Sequence, residues 1–138
     1  MYGPDLRKQL LWDVCSRLQK GERTLTLGGT GAEVRDWTDV RDVARLLTTL
    51  SELPQLEPIR IINGGSGRGT NVAQIASALV KHWGRRDIAV RYSGAVRAGD
   101  PFSLVADDAH LRQIAFDWRI PIESGLADYV RWFKDQVR

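Results

Sequence analysis

The chain has 138 residues, 43% of them apolar, and a formal net charge of +3 from 20 basic and 17 acidic side chains. That is the size of one ordinary domain with enough apolar content for a real core. The basic residues are scattered among the acids, which argues against nucleic acid as a partner; no apolar run approaches the ~20 residues that cross a bilayer; and a single cysteine, Cys15, allows no internal disulfide.

No signal-peptide pattern opens the chain, so a reducing, cytoplasmic setting is expected. After the turn Tyr2-Gly3-Pro4, the spacing of Leu6, Leu10, Val14 and Leu18 predicts an amphipathic helix from Asp5 to Lys20, stopped by Gly21. Cys15 falls among its apolar positions and reads as a small buried hydrophobe. Thr24 to Leu27 is a short strand, and Gly28-Gly29-Thr30-Gly31 a turn. Val34 to Thr38 is extended. Asp39 then caps a helix reaching Leu53, with Val40, Val43, Ala44, Leu46, Leu47 and Leu50 as its apolar set.

Pro54 and Pro58 bracket a surface loop, and the β-branched run Ile59 to Ile62 predicts a buried strand. The glycine-rich stretch Gly64 to Gly69 leads into a helix from Asn71 to Trp83. Ala89 to Tyr92 is a further strand, and Ser93 to Ser103 a loop punctuated by Gly94, Gly99 and Pro101. Asp107 or Asp108 opens a short helix to Phe116. A last helix starts at Ile122 and turns Leu126, Tyr129, Val130 and Phe133 inward. Helices alternating with short strands make the class α/β or α+β, with too few strands for a complete doubly wound sheet.

Ile59 to Asn63 followed by Gly64-Gly65-Ser66-Gly67-Arg68-Gly69 and a helix invites a dinucleotide site, in which the helix N-terminus would cradle a pyrophosphate. The register is poor. The closest fit places Thr70 where close helix–strand packing wants glycine or alanine, and the next strand ends in Ser93-Gly94 rather than an acid for the ribose. A glycine turn before a helix capped by Thr70 or Asn71 accounts for the stretch. A Tyr-x-x-x-Lys pair is also missing, because Tyr2, Tyr92 and Tyr129 are followed at the fourth position by Leu6, Val96 and Phe133. His82 and His110 form no local metal motif.

Two loops remain as ligand holders. In Gly28 to Trp37 a flexible turn returns as a strand that presents Arg35, whose planar fork of donors suits a diphosphate; Asp36 is expected to steady it. The plainer alternative is a hairpin with a surface Arg–Asp pair. In Arg97-Ala98-Gly99-Asp100-Pro101, Arg97 offers a grip on the other side of a diphosphate, and Asp100, acceptor-only when ionised, suits a ribose diol. The alternative there is an exposed turn with an ion pair of little energetic value.

The order of these segments resembles the C-terminal portion of the extended short-chain dehydrogenase/reductase family. These are the NAD(P)-dependent sugar-nucleotide epimerases and dehydratases, with UDP-glucose 4-epimerase as the type. Tyr2-Gly3-Pro4 resembles the family's Tyr-Gly-Pro, and Gly29 to Trp37 its Gly-Asp-Gly-x-x-x-Arg-Asp-Phe/Tyr. Val40 to Ala44 resembles Val-x-Asp-Val-Ala, Asn63 to Gly67 Asn-x-Gly-Ser-Gly, and Arg97 to Pro101 Arg-x-Gly-Asp-Pro. Ala106-Asp107 and Trp118 resemble the later Ala-Asp and Gly-Trp signals.

The resemblance implies the substrate-binding part of an extended Rossmann-type enzyme. It implies that Arg35 and Arg97 contact the diphosphate, that Asp100 contacts the ribose, and that the backbone of Thr24, Leu25, Thr26 and Leu27 lies near the base. It further implies a UDP-, GDP- or dTDP-sugar as ligand, with NAD or NADP needed by the complete enzyme and held outside this chain. The sequence departs from the pattern at Thr30, Trp37 and Asp117-Trp118, and it lacks the coenzyme fingerprint and the catalytic Tyr-x-x-x-Lys. The expectation is therefore a nucleotide-sugar-binding segment, inactive alone, that pairs with a missing N-terminal half or with a second copy. The alternative is a non-catalytic interaction module of the same descent.

Overall fold

The computed structural model describes residues 1–54, 61–96 and 98–136. Helix α1 (Gln9–Gln19) buries Leu11, Val14, Cys15 and Leu18. It starts later than its apolar spacing suggests. Asp5 takes a left-handed conformation (φ 72°), and the Leu6 N–H closes a tight turn onto the Gly3 carbonyl at 3.3 Å. The helix stops where Gly21, at φ 81°, turns its N–H onto the Leu18 carbonyl at 3.0 Å.

Strand β1 (Thr24–Leu27) follows, then β2 (Val34–Asp36) and helix α2 (Val40–Glu52). Asp39 caps α2, its carboxylate accepting the Arg41 N–H at 2.9 Å. The helix ends as Leu53 becomes extended ahead of Pro54. Its buried face differs from the expected apolar set. Leu46 and Asp42 are buried, whereas Leu47 is 63% exposed. Asp42 is buried because it receives the backbone N–H groups of Arg119 (3.0 Å) and Ile120 (2.9 Å) and an Arg45 guanidinium nitrogen (2.7 Å). Burial alone would raise its carboxyl, but those donors outweigh burial and hold it below the ordinary aspartate range.

The expected strand Ile59 to Ile62 lies partly outside the described residues. Within them, Ile61 and Ile62 have no regular structure and Ile61 is 82% exposed. Strand β3 (Gly69–Asn71) and helix α3 (Val72–Trp83) come next, without a break between them. Asn71 and Gln74 form a reciprocal cap: the Gln74 N–H donates to the Asn71 side chain at 2.8 Å and the Asn71 N–H to the Gln74 side chain at 3.1 Å. Gly84 ends α3 in the left-handed conformation. Strands β4 (Ala89–Tyr92) and β5 (Ser103–Leu104), the short helix α4 (Ala109–Gln113) and helix α5 (Ile122–Gln136) complete the order.

The strands form two small sheets. β1 pairs in parallel with β4, Leu25 opposite Val90. β2 is the centre of the other sheet, antiparallel to β3 and parallel to β5. Thus β2 does not form a hairpin with β1. The main core lies where α1, α3 and α5 meet β1, around Val14, Leu18, Leu25, Ile75, Leu79, Leu126 and Phe133. α5 presents the expected face, and its Tyr129 hydroxyl donates to the Leu6 carbonyl at 2.7 Å. The architecture is the expected mixture of helices and short strands.

Candidate nucleotide-sugar cleft

The end of β1 runs into a turn that the chain ties down from two sides. The Gly29 N–H donates to the Ala95 carbonyl (3.2 Å), and the Gly94 N–H returns to the Gly29 carbonyl (2.8 Å). Glu33 ties the turn from within. Its carboxylate accepts the Thr30 N–H (2.7 Å), the Thr30 hydroxyl (2.9 Å) and the Gly31 N–H (2.9 Å). The Thr30 N–H, together with Glu33's own N–H, the Thr30 hydroxyl and the Gly31 N–H, lowers its carboxyl to about 2. Gly29 and Gly31 both sit at positive φ. Gly31 also backs onto the Tyr92 ring, which a Cβ would meet at 2.7 Å.

Between this turn, β2 and the residues Ala95, Val96, Asp100 and Phe102 lies a cleft of about 570 Å³. Gly28, Gly29 and Glu33 form one wall; Ala95, Val96, Asp100 and Phe102 form another; Arg35 and Val72 complete it. Arg35 and Asp100, chosen from different loops of the sequence, therefore open onto one space. The Arg35 Nη1 is anchored on the carbonyls of Val34 (2.7 Å) and Phe102 (3.3 Å). Phe102 is 63% exposed, and its carbonyl also receives the Val34 N–H at 2.8 Å. Arg97 lies outside the described residues.

The cleft begins one residue after the strand named from the resemblance. Leu25 and Leu27 are buried in the core, and Thr26 is exposed with its carbonyl accepting Arg17 Nη1 at 3.0 Å. None of the three lines the cleft, whereas Gly28 and Gly29 do.

Asp36 does not steady Arg35. Its carboxylate instead accepts the Ser66 N–H (3.1 Å) and hydroxyl (2.6 Å), the Gly67 N–H (2.9 Å) and the Ala106 N–H (3.4 Å). Arg35 and Asp36 are adjacent in an extended strand, so they face opposite sides of it. Two backbone donors of the Gly64–Gly69 turn, the Ser66 and Gly67 N–H groups, are thereby committed to Asp36. Gly65 has no room for a side chain, since a Cβ would lie 2.3 Å from that of Ala106. Trp37, the departure beside the motif, donates its indole N–H to the Thr70 carbonyl at 3.1 Å.

Elsewhere, Cys15 is buried and its thiol is pushed up to about 12, chiefly by that burial. His82 lies 3.3 Å from Glu123, while His110 is exposed. Among the described residues no group of three or more His, Cys, Asp or Glu is placed to hold a metal ion, and no helix is long and apolar enough to cross a membrane.

The model of the NAD dependent epimerase/dehydratase family matches residues 1–65. Among solved structures, MoeE5 in complex with UDP-glucuronic acid and NAD superposes with a TM-score of 0.85 at 26% identity, over 99% of this chain and 45% of that one. The chain is similar to proteins of the NAD-dependent epimerase/dehydratase family. UDP-glucose 4-epimerase from Thermotoga maritima, solved with UDP-glucose, aligns with a TM-score of 0.82 at 27% identity, over 99% of this chain and 44% of that one. The dTDP-L-rhamnose 4-epimerase of Burkholderia thailandensis is 26% identical over 124 residues, which is 88% of this chain and 33% of that protein. A probable UDP-glucuronate 4-epimerase of Rhizobium meliloti is 24% identical, over 100% of this chain and 45% of that protein. The chain thus spans between a third and a half of the family members it matches, and its mixture of helices and short strands is that of part of their Rossmann-type fold.

Of the residues lining the cleft, sequence reasoning missed Glu33. The available signal was local: an acid three residues after Thr30, in a turn rich in glycine, is placed to collect backbone donors. It also missed the clamp made by Asp36, whose partners are distant in the chain.

Proposed function

We propose that this chain is the nucleotide-sugar-binding part of an NAD-dependent epimerase or dehydratase. One observation carries the reading: Arg35 and Asp100 share a single cleft. A guanidinium is a two-pronged donor for diphosphate oxygens, and a carboxylate accepts from the hydroxyls of a ribose. The volume is in the range of small-molecule sites. Relatives solved with UDP-glucuronic acid and UDP-glucose support a nucleoside diphosphate sugar as the ligand class.

Hydride chemistry on that sugar needs NAD or NADP, which a coenzyme-binding part outside this chain would hold. With no Tyr-x-x-x-Lys pair to move a proton, the chain alone binds without turning over. Calorimetric titration with UDP, dTDP and GDP tests the reading. Binding of at least one, lost in Arg35→Ala, is expected; no affinity for any of them overturns it, and so does turnover of a nucleotide sugar with NAD by the isolated chain.

A further inference from the structure

Glu33 lines the cleft, yet its carboxylate is spent on the protein itself. One oxygen accepts the Thr30 N–H (2.7 Å) and hydroxyl (2.9 Å), the other accepts the Gly31 N–H (2.9 Å), and its own N–H is a further donor. A carboxylate has about four acceptor sites, so none is left over. The group also lies close against Gly29, where a Cβ would stand 2.7 Å from its Oε1. The main chain here is committed as well. The Val72 and Ala73 N–H groups open α3 and have no partner within the helix; they donate to the carbonyls of Glu33 (3.0 Å) and Gly31 (2.9 Å). Val72 is itself a lining residue. Two positions after Glu33, Arg35 is anchored on the Phe102 carbonyl. The Gly28–Gly29 wall, the head of α3 and the strand that carries Arg35 therefore meet at Glu33.

We infer that Glu33 is a positioning residue: it makes no bond to the ligand, and by holding the Thr30–Gly31 turn against α3 it sets the Gly28–Gly29 wall opposite Arg35. The inference rests on the nucleotide-sugar reading above and deepens it. A glycine-rich turn has many conformations open to it, and Gly29 and Gly31 keep their positive φ here under the hold of this side chain. A wall set before the ligand arrives spares the ligand that ordering cost. The charge of Glu33 acts the other way. With its carboxyl at about 2 the group is an anion at neutral pH, and an anion beside a diphosphate site repels the ligand. Loss of the side chain thus has two opposite effects on affinity, and the sign of the change tells them apart.

The experiment is calorimetric titration of UDP, dTDP and GDP into the native chain, Glu33→Gln and Glu33→Ala, at neutral pH and at a temperature where melting curves show each protein folded. For the nucleotide that the native chain binds most tightly, the expected order of affinity is native, then Gln, then Ala, with a loss of about fivefold or more in the alanine variant. Glutamine rescues in part, because its carbonyl oxygen still accepts from Thr30 while its amide nitrogen faces the Gly31 N–H. A role confined to global stability would lower the melting temperature and leave the affinity of the folded variants unchanged. A role through charge alone would make both variants bind more tightly. Either result overturns the proposal while leaving the nucleotide-sugar reading intact, and binding of none of the three nucleotides by the native chain overturns both. Should Glu33→Ala fail to fold, Glu33→Gln carries the test alone: weaker binding than the native chain is expected, and equal or tighter binding overturns the proposal.

Discussion

The hydroxyl of Tyr2 occupies the space in which a side chain on Gly125 would have to stand. A Cβ at that position would lie 2.1 Å from the tyrosine oxygen and 2.9 Å from Asp39 Oδ2. Gly125 is therefore required in the first half of α5 although it weakens the helix, and the contact fixes the start of the chain against α5. Gly125→Ala should destabilise the protein by about 1–3 kcal/mol in urea unfolding, despite the better helix propensity of alanine. The Tyr2 hydroxyl is buried with no hydrogen-bond partner among the described residues, so Tyr2→Phe should be close to neutral and should recover part of the loss in the double variant.

Arg35 is anchored by Nη1 on two carbonyls, which leaves its other nitrogens for a ligand. Replacement by alanine should weaken UDP binding by roughly 10- to 150-fold, the equivalent of ~1.5–3 kcal/mol for bonds to a charged group. Arg35→Lys should recover little of it, because an ammonium cannot span the Val34 and Phe102 carbonyls and a phosphate together. Titration calorimetry on the three proteins decides the matter.

Asp36 ties the Ser66–Gly67 turn and the Ala106 backbone to β2. Asp36→Ala leaves those N–H groups without an acceptor and should cost about 3 kcal/mol. The loss should have a local signature as well. Trypsin should cut after the exposed Arg68 faster in the variant than in the native chain under conditions where both are folded, because the turn loses its anchor. Equal cleavage rates would show that other contacts hold the turn.

Acid should act on the Gly29–Gly31 turn late. Glu33 has a folded-state carboxyl at about 2 against ~4.3 for a free glutamate. Because the folded value is depressed, its contribution is fully present above the unfolded value and is lost as pH falls toward the folded one. The stability of the native chain should therefore decline more steeply between about pH 4.5 and 2 than that of Glu33→Gln, with parallel curves above about pH 5.5. Urea midpoints measured across that range test this directly.

Much of the helical framework is written locally. Asp39 before α2, Asn71 with Gln74 at the head of α3, and Gly84 at its end are signals that act within a few residues, and the structure uses each of them. The apolar spacing of α5 is equally direct. Tertiary context is needed for the rest. β3 and β5 are so short that only their pairing with β2 makes them strands. α1 starts late because of the backbone at Asp5, which apolar spacing does not register. Leu47 looks like a core residue in periodicity, yet Asp42 takes the buried position, since its donors come from Arg119 and Ile120 on a remote segment. The same division holds in the cleft. Arg35 and Asp100 stand out by their local chemistry, and the structure sets both on one cleft, whereas the hydrogen bonds of Asp36 depend on donors that lie far along the chain.

The parallel pairing of β1 with β4 bears on how the protein reaches its native state. Parallel neighbours cannot be joined by a tight turn, and here the intervening chain contains β2, α2, β3 and α3. Closing so large a loop early is entropically unfavourable, so the two strands are expected to meet only after α3 has docked and brought β4 within reach. Refolding should then be slowed most by substitutions at Ile75 or Leu79, while changes at Val90 mainly hasten unfolding.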